Sequence, residues 1–243
     1  DVAATPTYGE GSNFGLTAGG NIPLTDSLVA TVAVGYTWRG TYKTNSLGEY
    51  DPGDVYTLNA GMGYEGDNDT IQLQISFTGE TASQQNGMDY YKGGNIISAV
   101  LGLAHAWNDQ LASRLNLSYG WTDKNKVQNL GVPPLVKEIF NSNSEVVQVD
   151  LDTTYSASNF SIGPTLGYLK RNHNSWNPGN PQYLSAKERW TAGLTGQYAL
   201  NRDTSINASV SHAWMDQDAN PGAGTPATTT KSWTYVLGLN RNF

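Results

Sequence analysis

The segment Thr70-Ile71-Gln72-Leu73-Gln74-Ile75-Ser76-Phe77-Thr78 alternates without a break between apolar and small polar side chains. Successive residues of a β-strand point to opposite faces, so Ile71, Leu73, Ile75 and Phe77 share one face while Gln72, Gln74, Ser76 and Thr78 share the other. The same split occurs upstream, where Leu28, Ala30, Val32, Val34, Tyr36 and Trp38 form an apolar row. Helical periodicity is nearly absent. Such runs return about every 20 residues, bounded by Gly, Asn, Asp, Ser and Pro. They predict strands at 13–23, 28–42, 54–66, 70–81, 93–108, 111–122, 146–155, 160–172, 186–200, 204–216 and 230–243.

The connections between these strands sort into two classes. Short turns at 24–27, 66–69, 108–110, 156–159 and 201–203 strictly alternate with long loops at 43–53, 82–92, 123–145, 173–185 and 217–229. A soluble sandwich has no reason to sort its loops this way, whereas a barrel of the bacterial outer membrane has tight periplasmic turns and longer loops outside. The expectation is therefore an all-β fold, a transmembrane antiparallel up-and-down β-barrel, forming one domain over 1–243. Eleven predicted strands are an odd number, and single-chain barrels of this type close with an even one. Val2 to Tyr8, turning at Gly9-Glu10-Gly11, is the rising strand that brings the count to about twelve. The chain opens at Asp1 with no charged-then-apolar leader, which is expected if a signal peptide or an upstream periplasmic or plug region precedes it.

Alternation alone does not say which face meets lipid. The aromatic positions do. Tyr56 and Tyr64, Phe160 and Tyr168, Trp190 and Tyr198, and Tyr235 and Phe243 are each eight residues apart on the apolar face. Eight steps of about 3.3 Å, tilted by roughly 35–45°, project to about 20 Å along the membrane normal, close to the height of a barrel's apolar band. These residues predict two interfacial girdles, where amphipathic rings favour the headgroup level. Trp38, Tyr56, Phe77, Trp121, Trp190, Trp214 and Trp233 would collect at the outer rim, and Tyr64, Trp107, Tyr155, Phe160, Tyr198 and Phe243 at the periplasmic rim. Outer-membrane lipid is then a partner by construction.

Composition limits the alternatives. Mean hydropathy is negative, and no stretch approaches the roughly 20 apolar residues of a spanning helix, but a spanning strand averages to near neutral. Cysteine is absent, which removes disulfides, thiol catalysis and thiolate-bound metals. The net charge of −7 opposes nucleic-acid binding, which calls for a basic stripe. No cofactor or metal is expected, because no phosphate loop, nucleophile elbow or metal-ligand spacing occurs.

The polar face is the candidate pore lining. It is dominated by small neutral groups, among them Asn59, Gln72, Gln74, Ser76, Asn116, Thr191, Thr195 and Ser211. The expected pore-lining residues with the most chemistry are Arg39, Gln72, Gln74, Glu80, Arg114, Asp150, Asp152 and Arg189. The charges are of both signs and form no one-sign ring, so only weak ion selectivity is expected. Asp150 and Asp152 are read chiefly as partners in ion pairs or hydrogen bonds across the bore, and secondarily as substrate contacts. Barrel hydrolases use a His with Ser or carboxylate partners. Here His105 and His212 fall on the lipid-facing parity beside Trp107 and Trp214, and His173 lies in a long loop. No catalytic residue is expected.

The terminal segment Trp233-Thr234-Tyr235-Val236-Leu237-Gly238-Leu239-Asn240-Arg241-Asn242-Phe243 resembles the last strand of outer-membrane proteins. In that class a terminal Phe is read by the barrel-assembly machinery, which makes Phe243 the expected assembly signal. Arg241 departs from the pattern, and its long stem can snorkel to the interface. A barrel of this length, lined by Gly, Ser, Thr, Asn and Gln, also resembles the FapF family of functional-amyloid secretion channels. The resemblance implies a twelve-stranded barrel preceded by a periplasmic coiled coil and a helical plug, a homotrimer, and unfolded amyloid subunits as cargo. A lumen of weak, interchangeable hydrogen bonds suits a sliding chain, because a site that binds too well stops conduction. It suits a porin for small polar solutes equally, and the two readings stay open at this point; an outer-membrane hydrolase is the remaining one.

Overall fold

A computed structural model describes residues 12–44, 48–129 and 131–241. Eleven long strands carry the architecture: β1 (Asn13–Pro23), β2 (Leu28–Arg39), β5 (Val55–Glu65), β6 (Asp69–Glu80), β9 (Ile96–Ala106), β10 (Leu111–Thr122), β13 (Val146–Ser156), β14 (Phe160–Arg171), β15 (Lys187–Ala199), β16 (Thr204–Gln217) and β17 (Thr228–Arg241). They pair in that order in one sheet. Each long strand falls within a residue or three of its predicted position, because turn residues and alternation mark strand ends strongly.

The register carries the alternation across the sheet. Leu58 pairs with Phe77, Phe77 with Ile97 and Ile97 with Trp121. On the other face Gly63 pairs with Gln72, Gln72 with Gly102, Gly102 with Asn116 and Asn116 with Asp150. A one-residue slip at any seam would put glutamines among the apolar row, so the pattern fixes the pairing.

Neither face hides a dry core. Among the described residues the only buried large apolar side chain is Tyr183, whereas Val32 is 44%, Leu73 39% and Leu237 80% exposed. A water-soluble β-protein of this size would cover such a face, since contiguous apolar surface of that extent is costly in water. Here it is left bare on strand after strand.

Closure differs from the sequence-based expectation. The described strands form an open sheet with β1 and β17 at its edges. All ten pairings are antiparallel, so the first and last of eleven strands run in the same direction. They would meet only as a parallel pair, whereas one further strand opposed to both fits between them. Val2–Tyr8, predicted to be that strand, lies outside the described residues, as does Phe243.

The long loops contain structure the sequence pattern missed. Strands β3 (Tyr42–Thr44), β4 (Gly48–Asp51), β7 (Ser83–Gln85), β8 (Met88–Lys92), β11 (Lys126–Asn129) and β12 (Val132–Lys137) make a second sheet in the order β12-β11-β8-β7-β4-β3. Three consecutive loops thus pair edge to edge. The other two long loops are tied in by side chains. Asn174, nearly fully buried, donates to the Ser142 and Gln182 carbonyls and accepts from the Leu184 amide. Trp176 donates to Ser142 Oγ at 3.0 Å, and Asn220 donates to the Tyr183 carbonyl at 2.7 Å.

Candidate functional site: the polar face and its two rims

The eight charged and amide positions expected to line a pore all fall on one face of the long sheet, as the alternating register requires. At the loop end, Arg39 and Glu80 close β2 and β6. The guanidinium of Arg39 donates to Glu80 Oε2 at 3.0 Å, and the Gly93 amide donates to Glu80 Oε1 at 2.7 Å. The Arg39 side chain also donates to the Gly53 carbonyl, and its amide donates to Asp54 Oδ1 at 3.0 Å. This corner is fully partnered and positions the loop entrances.

Deeper on the same face the charges are not paired. Arg114 lies directly opposite Asp152, and Asn116 opposite Asp150. Asp150 accepts a hydrogen bond from Gln148 at 2.6 Å. The ion pairs among the described residues are Arg39–Glu80, Asp69–His105 and Asp123–Lys137, and Arg114, Asp152 and Arg189 enter none of them. No ion pair therefore joins β10, β13 and β15 on this face. The neutral part of the face holds Gln72 and Gln74 beside glycines, Gln72 between Gly63 and Gly102 and Gln74 opposite Gly61, which leaves space over the wall.

The apolar face carries the aromatic rims. At the loop end Tyr168, Trp190 and Trp214 stand opposite one another on β14, β15 and β16, with the Tyr168 and Trp190 rings 4.5 Å apart. Tyr56 packs beside Phe77 at 6.0 Å and faces Gly79. A Cβ on Gly79 would sit 2.5 Å from the Tyr56 ring, so the ring occupies the space a side chain would take. Trp38 pairs with Phe14, Trp121 with Ile97, and Trp233 with His212. At the turn end Tyr198 stands opposite Phe160, Tyr64 opposite Leu28, and Trp107 follows the end of β9 and donates to Ser113 Oγ at 3.0 Å.

The histidines lie where alternation places them. His105 contacts Trp107 edge-on at 4.4 Å, and His212 contacts Trp214 and Trp233 at 4.3 and 4.4 Å. His173 Nδ1 is 2.6 Å from the Asn174 carbonyl. The structure brings Asp69 to His105 at 2.7 Å from the neighbouring strand. No local spacing could reveal that contact, because it depends on the register of β6 against β9. The link between Tyr36 and Asp54 was missed for the same reason.

No family model and no curated protein sequence matches the chain. Solved structures do. The copper transporter OprC is similar over 98% of this chain and 45% of its own, with a TM-score of 0.65 at 11% identity. The open form of the ferric-catecholate import receptor Fiu from E. coli K12 is similar over 96% of this chain and 51% of its own, with a TM-score of 0.53 at 11% identity. An outer membrane channel from Pseudomonas putida F1 is covered over 82% of its length by 93% of this chain, with a TM-score of 0.43 at 13% identity. The chain thus spans about half the length of OprC and Fiu. At these identities the likeness to OprC and Fiu establishes the fold alone, that of the outer-membrane β-barrels, and the copper and ferric catecholate named for those proteins stay with them. With a bare apolar band between two aromatic rims, a protein of this fold resides in the bacterial outer membrane.

Proposed function

We propose that the chain is the wall of a passive outer-membrane channel, closed by about twelve strands, whose cargo is an unfolded, amide-rich polypeptide of the functional-amyloid class on its way to the cell surface. The observation that carries the channel reading is the pairing of two unlike faces: one apolar and bare, the other polar, rich in Gln, Asn, Ser, Thr and Gly with charges of both signs among them. Facing lipid with the first leaves the second around water. A barrel of this size leaves a narrow bore. The resemblance to the FapF family supports the cargo, the homotrimer and an upstream plug region; the wall of interchangeable weak hydrogen bonds supports sliding rather than capture. The positions Arg39, Gln72, Gln74, Glu80, Arg114, Asp150, Asp152 and Arg189 line the bore, the aromatic rims anchor it in lipid, and Phe243 engages the barrel-assembly machinery. No step of this function is catalytic.

Deleting the protein in its host tests the cargo: amyloid subunits should accumulate inside while surface fibres vanish. Normal fibre display would end the export reading.

A second reading, a porin for small polar solutes, is favoured by the unpaired charges of β10, β13 and β15. Swelling of reconstituted liposomes should then be rapid for sugars and small acids and fall with solute size, and vesicles that stay impermeable would count against it.

A further inference from the structure

Gln148, Asp150 and Asp152 on β13, Thr165 and Gly167 on β14, and Arg189 and Thr191 on β15, with Leu166 and Tyr168 between them in the sheet, line an open recess of about 160 Å³ on the polar face. The register explains the opening: Asp150 stands opposite Gly167, and Gly167 opposite Thr191. A Cβ on Gly167 would lie 3.1 Å from Asp150 Oδ1, so any larger residue would crowd the carboxylate. Arg189 sits two residues from Thr191 toward the loop end of the same strand, which puts its Cα two strands and two residues from that of Asp150, about 12 Å away. At that separation the two charges flank the recess from opposite sides without touching.

The electrostatics are unusual for a wall facing water. Two cations, Arg114 and Arg189, and two anions, Asp150 and Asp152, occupy one patch, yet no ion pair joins any of them. Asp150 is steadied by Gln148, and Arg189 is exposed. A lone cation or a lone anion entering the recess would meet charges of both signs, so its attraction is offset by repulsion. A molecule carrying both signs meets two attractions.

We propose that this recess is a binding subsite for small zwitterionic solutes bearing a primary ammonium and a carboxylate, the ammonium against Asp150 with Asp152 behind it and the carboxylate against Arg189. The assignment rests on the channel reading of this face and not on the nature of any larger cargo. Contacts of this kind in a hydrated wall are weak and short-lived, so a bound zwitterion slows the passage of ions without sealing the bore.

The test is single-channel recording of the purified full chain in planar bilayers in potassium chloride, with 4-aminobutyrate, butyrate or butylammonium added. The zwitterion should reduce or interrupt the current at a concentration about fivefold below that of either singly charged solute, the effect expected from one modest ion-pair contact. Arg189→Gln and Asp150→Asn should each remove that preference while conductance persists. Conductance with equal responses to the three solutes overturns the subsite alone, as does a preference that survives both substitutions. Absence of any conductance overturns the channel reading and the subsite with it.

Discussion

Arg39 Nη2 and Glu80 Oε2 meet at 3.0 Å across β2 and β6 although the residues are 41 positions apart, and Glu80 holds the Gly93 amide with its other oxygen. Replacing Glu80 by Ala leaves a guanidinium and an amide without their partner. Because both side chains of the pair are about a quarter exposed, water softens the loss, and the expected destabilisation is about 1–2 kcal/mol. Urea unfolding of the reconstituted protein should show it as a lower midpoint at unchanged slope. Glu80→Gln, which keeps an acceptor, should lose less.

Leu194 and Thr195 are neighbours near the middle of β15 and lie on opposite faces. Leu194→Arg would put a charge into hydrocarbon and should cost about 2–4 kcal/mol in folding from urea into vesicles. Thr195→Arg, facing water, should fall within about 0.5 kcal/mol of the parent. Equal costs at the two positions would mean that neither face meets lipid.

The carboxylates of Asp150 and Asp152 are not neutralised by an ion pair, so they contribute negative potential to the bore. In the Asp150→Asn, Asp152→Asn double variant, Arg114 and Arg189 remain. The reversal potential across a potassium chloride gradient should shift toward anion preference, and raised salt should shrink the shift by screening. An unchanged reversal potential would place these residues away from the ion path.

Asp123, beyond the end of β10, receives a hydrogen bond from Lys137 at 3.0 Å and another from the Lys124 amide at 2.7 Å. The Lys137 ammonium, followed by the Lys124 amide, holds its carboxyl below the usual carboxylate range. A carboxylate whose affinity for protons falls on folding stabilises the folded loop above its unfolded value, near pH 4, and that contribution disappears as pH drops through the folded value. Protection of the amides around 123–138 against exchange, taken relative to the intrinsic rate at each pH, should fall on acidification below about pH 4, and Lys137→Met should flatten that dependence. A loop equally protected across that range would contradict the assignment.

The long strands were legible because each carries its own signal, as with Ile71 to Phe77, where alternation, turn residues and aromatic spacing agree. The faces of Arg114, Asp150, Asp152 and Arg189 followed from parity alone. What they touch did not. Parity is a one-strand property, while the Asp69–His105 contact and the absence of an Arg114–Asp152 bond depend on register and rotamers between strands. The six-stranded loop sheet was hidden for a related reason. Its strands are only three to six residues long, too short for alternation to rise above loop composition, and the sheet is joined by pairings between loops, β4 with β7 and β8 with β11. Closure is not visible in the eleven described strands, since Val2–Tyr8, the strand expected to complete the cylinder, lies outside the described residues.

Lipid on one side of the sheet and water on the other is the physical basis of the channel reading. The chain contains no cysteine, so single replacements report cleanly. Leu73→Cys and Gln74→Cys, made separately at adjacent positions of β6 and reconstituted into liposomes, should differ sharply toward a membrane-impermeant maleimide: rapid labelling at 74, with 73 protected until detergent is added. Rapid labelling at 73 with protection at 74 would contradict the account.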